Sequence, residues 1–257
     1  TVEQRQGSFQ FAGHAYQLVD LPGTYSLTAN SPEEVIAREY ILREKPDLVV
    51  AVVSAANLER SLYLVSELIC LPVPMVVALN MIDVAEQEGV QVDAAVLQAA
   101  LGVPVVPMVA TKANGVKDLL NEVELVFQGE RILMPRLPEV HDEHRLVIDQ
   151  VSDLIRPSVP AIYPVEWAAT KLLEGDVEMT AQMKSLLLPA RWTDVHAILM
   201  QHEDAMLSIA SGRYAWVERV IRAAVRRPRL GQVSLTDRLD RWATHPVIGL
   251  LILAGIL

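Results

Sequence analysis

The chain has 257 residues, 51% apolar and 21% charged, a balance that belongs to a folded globular protein and excludes a disordered one. Its formal charge of −10 is unevenly placed, with +5 over 213–241 and −15 before it. The acidic body excludes nucleic acid as the main partner, and a single cysteine, Cys70, excludes an internal disulfide framework.

In chain order, 1–11 and 14–20 read as two strands joined by a turn at Gly13. The second strand ends in Asp20-Leu21-Pro22-Gly23, followed by Thr24-Tyr25-Ser26. An Asp at a strand end with Gly three residues on is the D-x-x-G pattern of P-loop nucleotide hydrolases. The carboxylate holds Mg²⁺ through water, and the Gly amide donates to a terminal phosphate without a side chain in the way. Alone, the pattern is equally a strand-to-loop turn. Ser31-Pro32-Glu33-Glu34 is a capping box that opens a helix to about Glu44.

Three short apolar runs follow, 47–54, 74–81 and 104–109, each leading to a helix (58–71, from about 93, and 115–128). Strands of this kind are buried on both faces of a parallel sheet. The alternation predicts a doubly wound α/β sheet, with ligands at the carboxyl ends of its strands. Asn80-Met81-Ile82-Asp83 closes the second run. N-x-x-D at that place reads guanine: the carboxylate accepts from the base N1–H and N2–H₂, which adenine does not offer. The Asn amide bonds the base N7 and ties adjacent loops. An Asx turn is the plainer alternative. Met81 stands where a Lys usually covers the base. Ala110-Thr111-Lys112 closes the third run, where GTPases supply a backbone N–H to guanine O6.

Beyond Met134-Pro135-Arg136-Leu137-Pro138 no strand pattern recurs. Helical periodicity runs through 141–155, 164–173, 176–187, 192–210 and 213–227, punctuated by Pro157, Pro160, Gly175, Pro189 and Gly212. His141-Asp142-Glu143-His144 has the spacing of a metal site but reads better as a solvated helix face. Cys70 reads as a small core residue. The Arg213–Arg229 cluster reads as a lipid-facing collar or a docking surface. The wholly uncharged 247–257, behind a basic flank and Trp242, predicts a transmembrane helix cut short, with the basic side cytoplasmic. Both chain ends look cut.

With these motifs in order, D-L-P-G-T-Y-S-L, N-L-E-R-S-L-Y-L, V-A-L-N-M-I-D and Y-P-V-E-W-A-A-T-K-L-L-E-G-D together resemble the ferrous iron transport protein B family, FeoB, over essentially the whole chain. The resemblance implies a P-loop GTPase-type sheet lacking its first strand and phosphate loop (1–130). A helical, GDP-dissociation-inhibitor-like domain follows (131–230), then a juxtamembrane segment and the start of a first membrane helix (231–257). It implies GTP or GDP bound by Asp20, Gly23, Asn80, Asp83, Ala110, Thr111 and Lys112, and Mg²⁺ held by Thr1 and Asp20. Thr1-Val2-Glu3 matches the end of the family's G-V-T-V-E loop. Fe²⁺ would be the transported ion, crossing a membrane region almost absent from this sequence.

Expected partners are membrane lipids, the protein's own transmembrane domain, small Feo accessory proteins and a second copy of the chain. The expected place is the bacterial inner membrane, with this part facing the cytoplasm. No phosphate loop G-x-x-x-x-G-K-[ST] occurs in the 257 residues. By itself the chain is therefore expected to bind GTP poorly. Thr24 occupies the place of the usual water-positioning Gln, so hydrolysis is expected to be slow and the loop from Gly23 to about Asn30 to act as a γ-phosphate sensor. The alternatives are a non-enzymatic, membrane-tethered G-like scaffold and a soluble ribosome-assembly GTPase, which suits neither the acidic body nor the apolar end.

Overall fold

The run Met75–Asn80 forms strand β4, and Met75 to Leu79 are buried without interruption. An unbroken apolar run is stable as a strand only where both faces are covered. That is its position here, at the centre of a three-stranded parallel sheet in a computed structural model that describes residues 5–28, 31–140 and 142–226. Thr1, His141 and the expected membrane entry at 231–257 lie outside the described residues.

The chain enters through β1 (Arg5–Phe11) and β2 (His14–Asp20), an antiparallel hairpin with Phe9 opposite Tyr16. Helix α1 (Pro32–Glu44) begins as expected: the Ser31 hydroxyl accepts from the Glu34 amide at 3.3 Å, with Pro32 next. The sheet is built from β3 (Val49–Ser54), β4 and, later, β6 (Val105–Pro107), in the order β3-β4-β6. Val53 lies opposite Leu79, and Ala78 opposite Val106. Helix α2 (Leu58–Leu68) crosses from β3 to β4. Between β4 and β6 come α3 (Ile82–Gln87), the two-residue strand β5 (Gln91–Val92) and α4 (Ala94–Leu101). Helix α5 (Val116–Phe127) completes the α/β part.

The fold is of the expected class, a parallel sheet with helices followed by a helical region. The hairpin forms a sheet of its own, and β3 is an edge strand whose Val52 is 65% exposed. Helix α3 was not expected. Its six residues are too few to show a period, and it starts because Met81 turns into the left-handed region (φ 62°) directly after β4.

The helical region holds α6 (Asp142–Ile155), α7 (Val165–Leu173), α8 (Val177–Leu186), α9 (Pro189–Gln201) and α10 (Ala205–Ala224). The expected break at Gly212 is absent. The chain breaks earlier, at 202–204, and α10 runs through Gly212 for 20 residues. A Cβ at Gly212 would sit 2.8 Å from the Glu139 carbonyl oxygen. The glycine therefore permits close backbone approach and is not a helix stop.

Two polar expectations are also corrected. His144 is buried, its Nδ1 3.2 Å from the Ser208 hydroxyl of α10, so it does not lie on a solvated face. Arg213, the first of the basic cluster, is buried against Glu174, whereas Arg219 and Arg222 are exposed. In both cases the pattern of neighbouring charges on one helix concealed what a second helix offers.

The segment after α5 is stitched back onto α4. The Met134 amide donates to the Gly102 carbonyl (3.0 Å) and the Arg136 amide to the Leu101 carbonyl (2.9 Å). Gly102 caps α4 at φ 72°, and a Cβ there would fall 1.8 Å from the Met134 oxygen. Gly102→Ala is expected to cost roughly 2–3 kcal/mol, through both the strained φ and the clash. Urea unfolding should show this as a lower midpoint at an unchanged slope.

The hairpin is held to α5 by side chains. The Tyr16 hydroxyl donates to the Glu124 carboxylate, and His14 Nδ1 lies 2.9 Å from the same group. Burial and the neighbouring Glu124 push the Tyr16 hydroxyl up to about 12. A phenol with a raised folded-state pKa stabilises the fold below the ordinary tyrosine range and loses that contribution as pH rises toward 12. Ultraviolet titration should therefore find Tyr16 among the late-ionising tyrosines, and Glu124→Gln should move that one ionisation back toward the ordinary range.

Candidate functional site

The sheet delivers two of the predicted motifs to neighbouring strand ends. Asn80 ends β4, and its Oδ1 accepts from the Ala110 amide at 3.0 Å. Ala110, Thr111 and Lys112 form one turn of 3₁₀-helix beyond β6. Paired bonds between Val109 and Asn114 close that turn at its base (3.0 and 3.2 Å). Asn80 therefore welds the two loops together, one of the two tasks its amide was expected to perform.

Asp83 lies in the first turn of α3. Its Oδ1 accepts from the Val84 amide at 3.1 Å, and its Oδ2 accepts from Lys112 Nζ at 2.7 Å. The Lys112 ammonium, with the Val84 amide, holds the Asp83 carboxyl below the usual carboxylate range. The group that would face a base is thus ionised and aimed by the adjoining loop. A carboxylate has lone pairs for about four donors, so the two bonds leave it able to accept more. Met81, in place of the usual Lys, is 41% exposed, and its sulfur meets the Ser54 hydroxyl of β3 at 3.6 Å. The positive charge lost at Met81 is present beside Asp83 as Lys112.

Asp20 and Gly23 are exposed at the end of β2. Among the described residues, no hydrogen bond joins them to the two loops of Asn80 and Ala110. Thr24 donates its hydroxyl to the Ser26 carbonyl (2.5 Å) and accepts from the Ser26 amide (3.3 Å), so it is committed to a local turn. Tyr25 lies under the Arg60 guanidinium of α2, 3.6 Å from ring centroid to carbon.

The loop is then drawn into the interior. Leu27 is buried, and its amide donates to Glu67 Oε2 at 2.5 Å. Glu67, Lys171 and Glu174 were not singled out in the sequence, yet with Arg213 they are buried and joined. Lys171 Nζ donates to Glu67 at 2.7 Å and to Glu174 at 2.8 Å, and Arg213 donates to Glu174. Burial by itself pushes the Glu67 carboxyl up, but Lys171 and Arg213 overcome it and hold the group ionised, below its ordinary value. Burial pulls the Lys171 ammonium down, and Glu174 and Glu67 hold it above its ordinary value. The available signal was a lone charge inside an otherwise apolar helix face, Glu67 in α2 and Lys171 in α7.

Among the described residues, no group of His, Cys, Asp and Glu is arranged to hold a metal ion, and no helix is long and apolar enough to cross a membrane. The family model described as ferrous iron transport protein B matches residues 1–123, and that of the FeoB cytosolic helical domain matches 145–226. A Porphyromonas gingivalis protein, the Fe(2+) transport protein A/Fe(2+) transporter FeoB fusion protein, is 35% identical over 261 residues. That alignment covers 97% of this chain and 31% of the relative, so the chain spans about a third of the curated relatives' length.

The cytosolic domain of the T. maritima FeoB iron transporter in a GDP form is 30% identical with a TM-score of 0.74, over 88% of this chain and 86% of that one. mGMPPNP-bound NFeoB from S. thermophilus is 33% identical with a TM-score of 0.75, over 87% and 85% of the two chains. Sequence, sheet order and helical region agree on one assignment: the chain belongs to the FeoB family of ferrous iron transport proteins.

Proposed function

We propose that the chain is the guanine-nucleotide-binding cytosolic part of a ferrous iron transporter, with nucleotide state gating iron passage through a membrane region of the longer protein. The observation that carries this reading is the Asn80–Ala110 weld beside an ionised Asp83. Two loops held rigidly at adjacent parallel strand ends can read a base edge at no further ordering cost. In this reading Asp83 accepts from guanine N1–H and N2–H₂. The Ala110 amide is already engaged, so the Thr111 amide, next in the chain, donates to O6. Lys112 orients the Asp83 carboxylate and supplies the charge that Met81 lacks. Adenine would leave the carboxylate facing an acceptor, which costs discrimination of several kcal/mol.

We assign Asp20 to Mg²⁺ through water, Thr1 to the same ion in the GTP state, and the Gly23 amide to the γ-phosphate. Asp20 is exposed at a strand end with its carboxylate free to take a hydrated cation, which suits that role. The Thr24 hydroxyl, turned into a local loop and bearing no amide, orients no attacking water, which favours slow hydrolysis and a switching role. Residues 1–130 would form the G-domain segment, 131–230 the helical domain that relays nucleotide state, and 231–257 the entry to the membrane. The match to a protein A–FeoB fusion supports a small Feo accessory protein as partner, alongside lipids, the transmembrane domain and a second copy. The bacterial inner membrane, with this part in the cytoplasm, is the place that fits.

Ferrous iron uptake by cells carrying the complete gene, wild type beside Asp83→Asn, tests the reading. Uptake in the wild type that falls in the variant, with GTP affinity down roughly a hundredfold and xanthosine triphosphate now preferred, is expected. No uptake above background from a well-expressed wild type would overturn transport. An unchanged base preference would overturn the role of Asp83. The 257-residue chain alone is expected to give no calorimetric signal with GDP at concentrations where the complete protein saturates, since the phosphate cradle supplies much of the affinity.

A further inference from the structure

The structure assigns Lys171 of α7 as a positioning residue for the loop that follows Gly23: acting through Glu67 and Thr28, it fastens that loop to the helical region. The inference rests on the reading of this loop as the nucleotide-sensing segment. It goes beyond that reading by naming the side chains through which loop and helices are joined.

The geometry commits every arm of the cluster. An ammonium has three donors. Those of Lys171 go to Glu67 Oε1 (2.7 Å), Glu174 (2.8 Å) and the Thr28 hydroxyl (3.2 Å). The Thr28 hydroxyl in turn donates to Glu67 Oε1 (3.2 Å), and the Leu27 amide donates to Glu67 Oε2 (2.5 Å). Both Glu67 oxygens therefore hold the loop, and one ammonium proton holds it directly. Arg213 of α10 donates to Glu174 and stands 3.8 Å from Glu67, which balances two carboxylates with two cations.

Lys171 and Glu67 are each 1% exposed, so no water stands ready to replace Leu27 or Thr28. A loop that moved would strand an ammonium donor and a carboxylate oxygen inside the protein, unless α7 moved with it or water entered. Helix α1, directly after the loop, is tied to the same region: Arg38 Nη1 lies 2.7 Å from Asp176, the N-cap of α8. Loop displacement is thus coupled either to helical rearrangement or to wetting of the buried cluster.

Hydrogen exchange read by mass spectrometry on the nucleotide-free 257-residue chain tests this. Three variants are compared with wild type: Lys171→Met, the charge-balanced pair Glu67→Gln with Lys171→Met, and Thr28→Val, which leaves all four charges in place. The expected result is exchange at Leu27 and Thr28 faster by roughly tenfold to a hundredfold, the span that one hydrogen bond to a charged group represents, while β4 and α2 keep wild-type protection in the charge-balanced pair and in Thr28→Val. A merely structural role would raise exchange across β4 and α2 equally in those two variants, and that result overturns the assignment. So does an unchanged rate at Leu27 and Thr28 in Thr28→Val, or in either charge variant that folds. No nucleotide is present, so this outcome is independent of whether Asp83 reads guanine.

Discussion

Burying a charge costs several kcal/mol unless a partner of opposite sign and further hydrogen bonds compensate. The four-charge cluster of Glu67, Lys171, Glu174 and Arg213 meets that condition with atoms from three helices far apart in sequence, α2, α7 and α10. Removing one member leaves an uncompensated buried charge, a loss of roughly 3–5 kcal/mol. The cluster therefore does not tolerate partial assembly. Either α2, α7 and α10 pack in one arrangement with the end of the D-x-x-G loop closing it, or the charges must be wetted. A purely apolar interface of the same area would be at least as stable but would permit sliding.

The candidate base-reading end of the molecule obeys the opposite logic. Asp83 and Lys112 form an exposed pair, with side chains 28% and 66% accessible, and such pairs contribute little to stability. Its value lies in aim: the lysine fixes one carboxylate oxygen and keeps the group ionised, while Asn80 fixes the loop from which the lysine comes. Rigidity is supplied by the Asn80 side-chain bond to the Ala110 amide, and in the proposed reading specificity comes from the partly exposed Asp83 carboxylate. One end of the fold is thus held by buried charge and kept from sliding, and the other presents charge to solvent where a ligand can reach it.

The two ends share one framework. Strand β4 is the buried centre, its carboxyl end carries Asn80, and α2 connects it along the chain to its neighbour β3. Glu67 is on the buried face of that same helix, next to its last residue. The loop held by Glu67 begins at Gly23, directly after β2. Short, stiff connections between strand ends and one helix leave few soft degrees of freedom between the candidate phosphate-sensing loop and α7.

Much of this was legible in the residues. Apolar runs 47–54, 74–81 and 104–109 announced the parallel strands, because a strand covered on both faces must be apolar along its length. Ser31-Pro32-Glu33-Glu34 announced α1, because capping is local chemistry. D-x-x-G, N-x-x-D and A-T-K stood at strand ends in order, because each is a few residue types at short spacing, as the proposed phosphate approach and base recognition would demand. Helix α3 escaped notice, since six residues carry no period, and Gly212 was misread, since a glycine that stops a helix and one that admits a neighbouring backbone look alike in one dimension. His144, Arg213, Glu67 and Lys171 depended on the tertiary structure alone. A charged residue is exposed or buried according to what the rest of the chain places beside it, and apart from the Lys171–Glu174 pair their partners lie tens of residues away or more. The sequence by itself determined the strands, the family and the candidate nucleotide-reading motifs, whose chemistry is local. Only the packing decided which charges became the buried fastening between loop and helices, because compensation of a buried charge is a property of the pair.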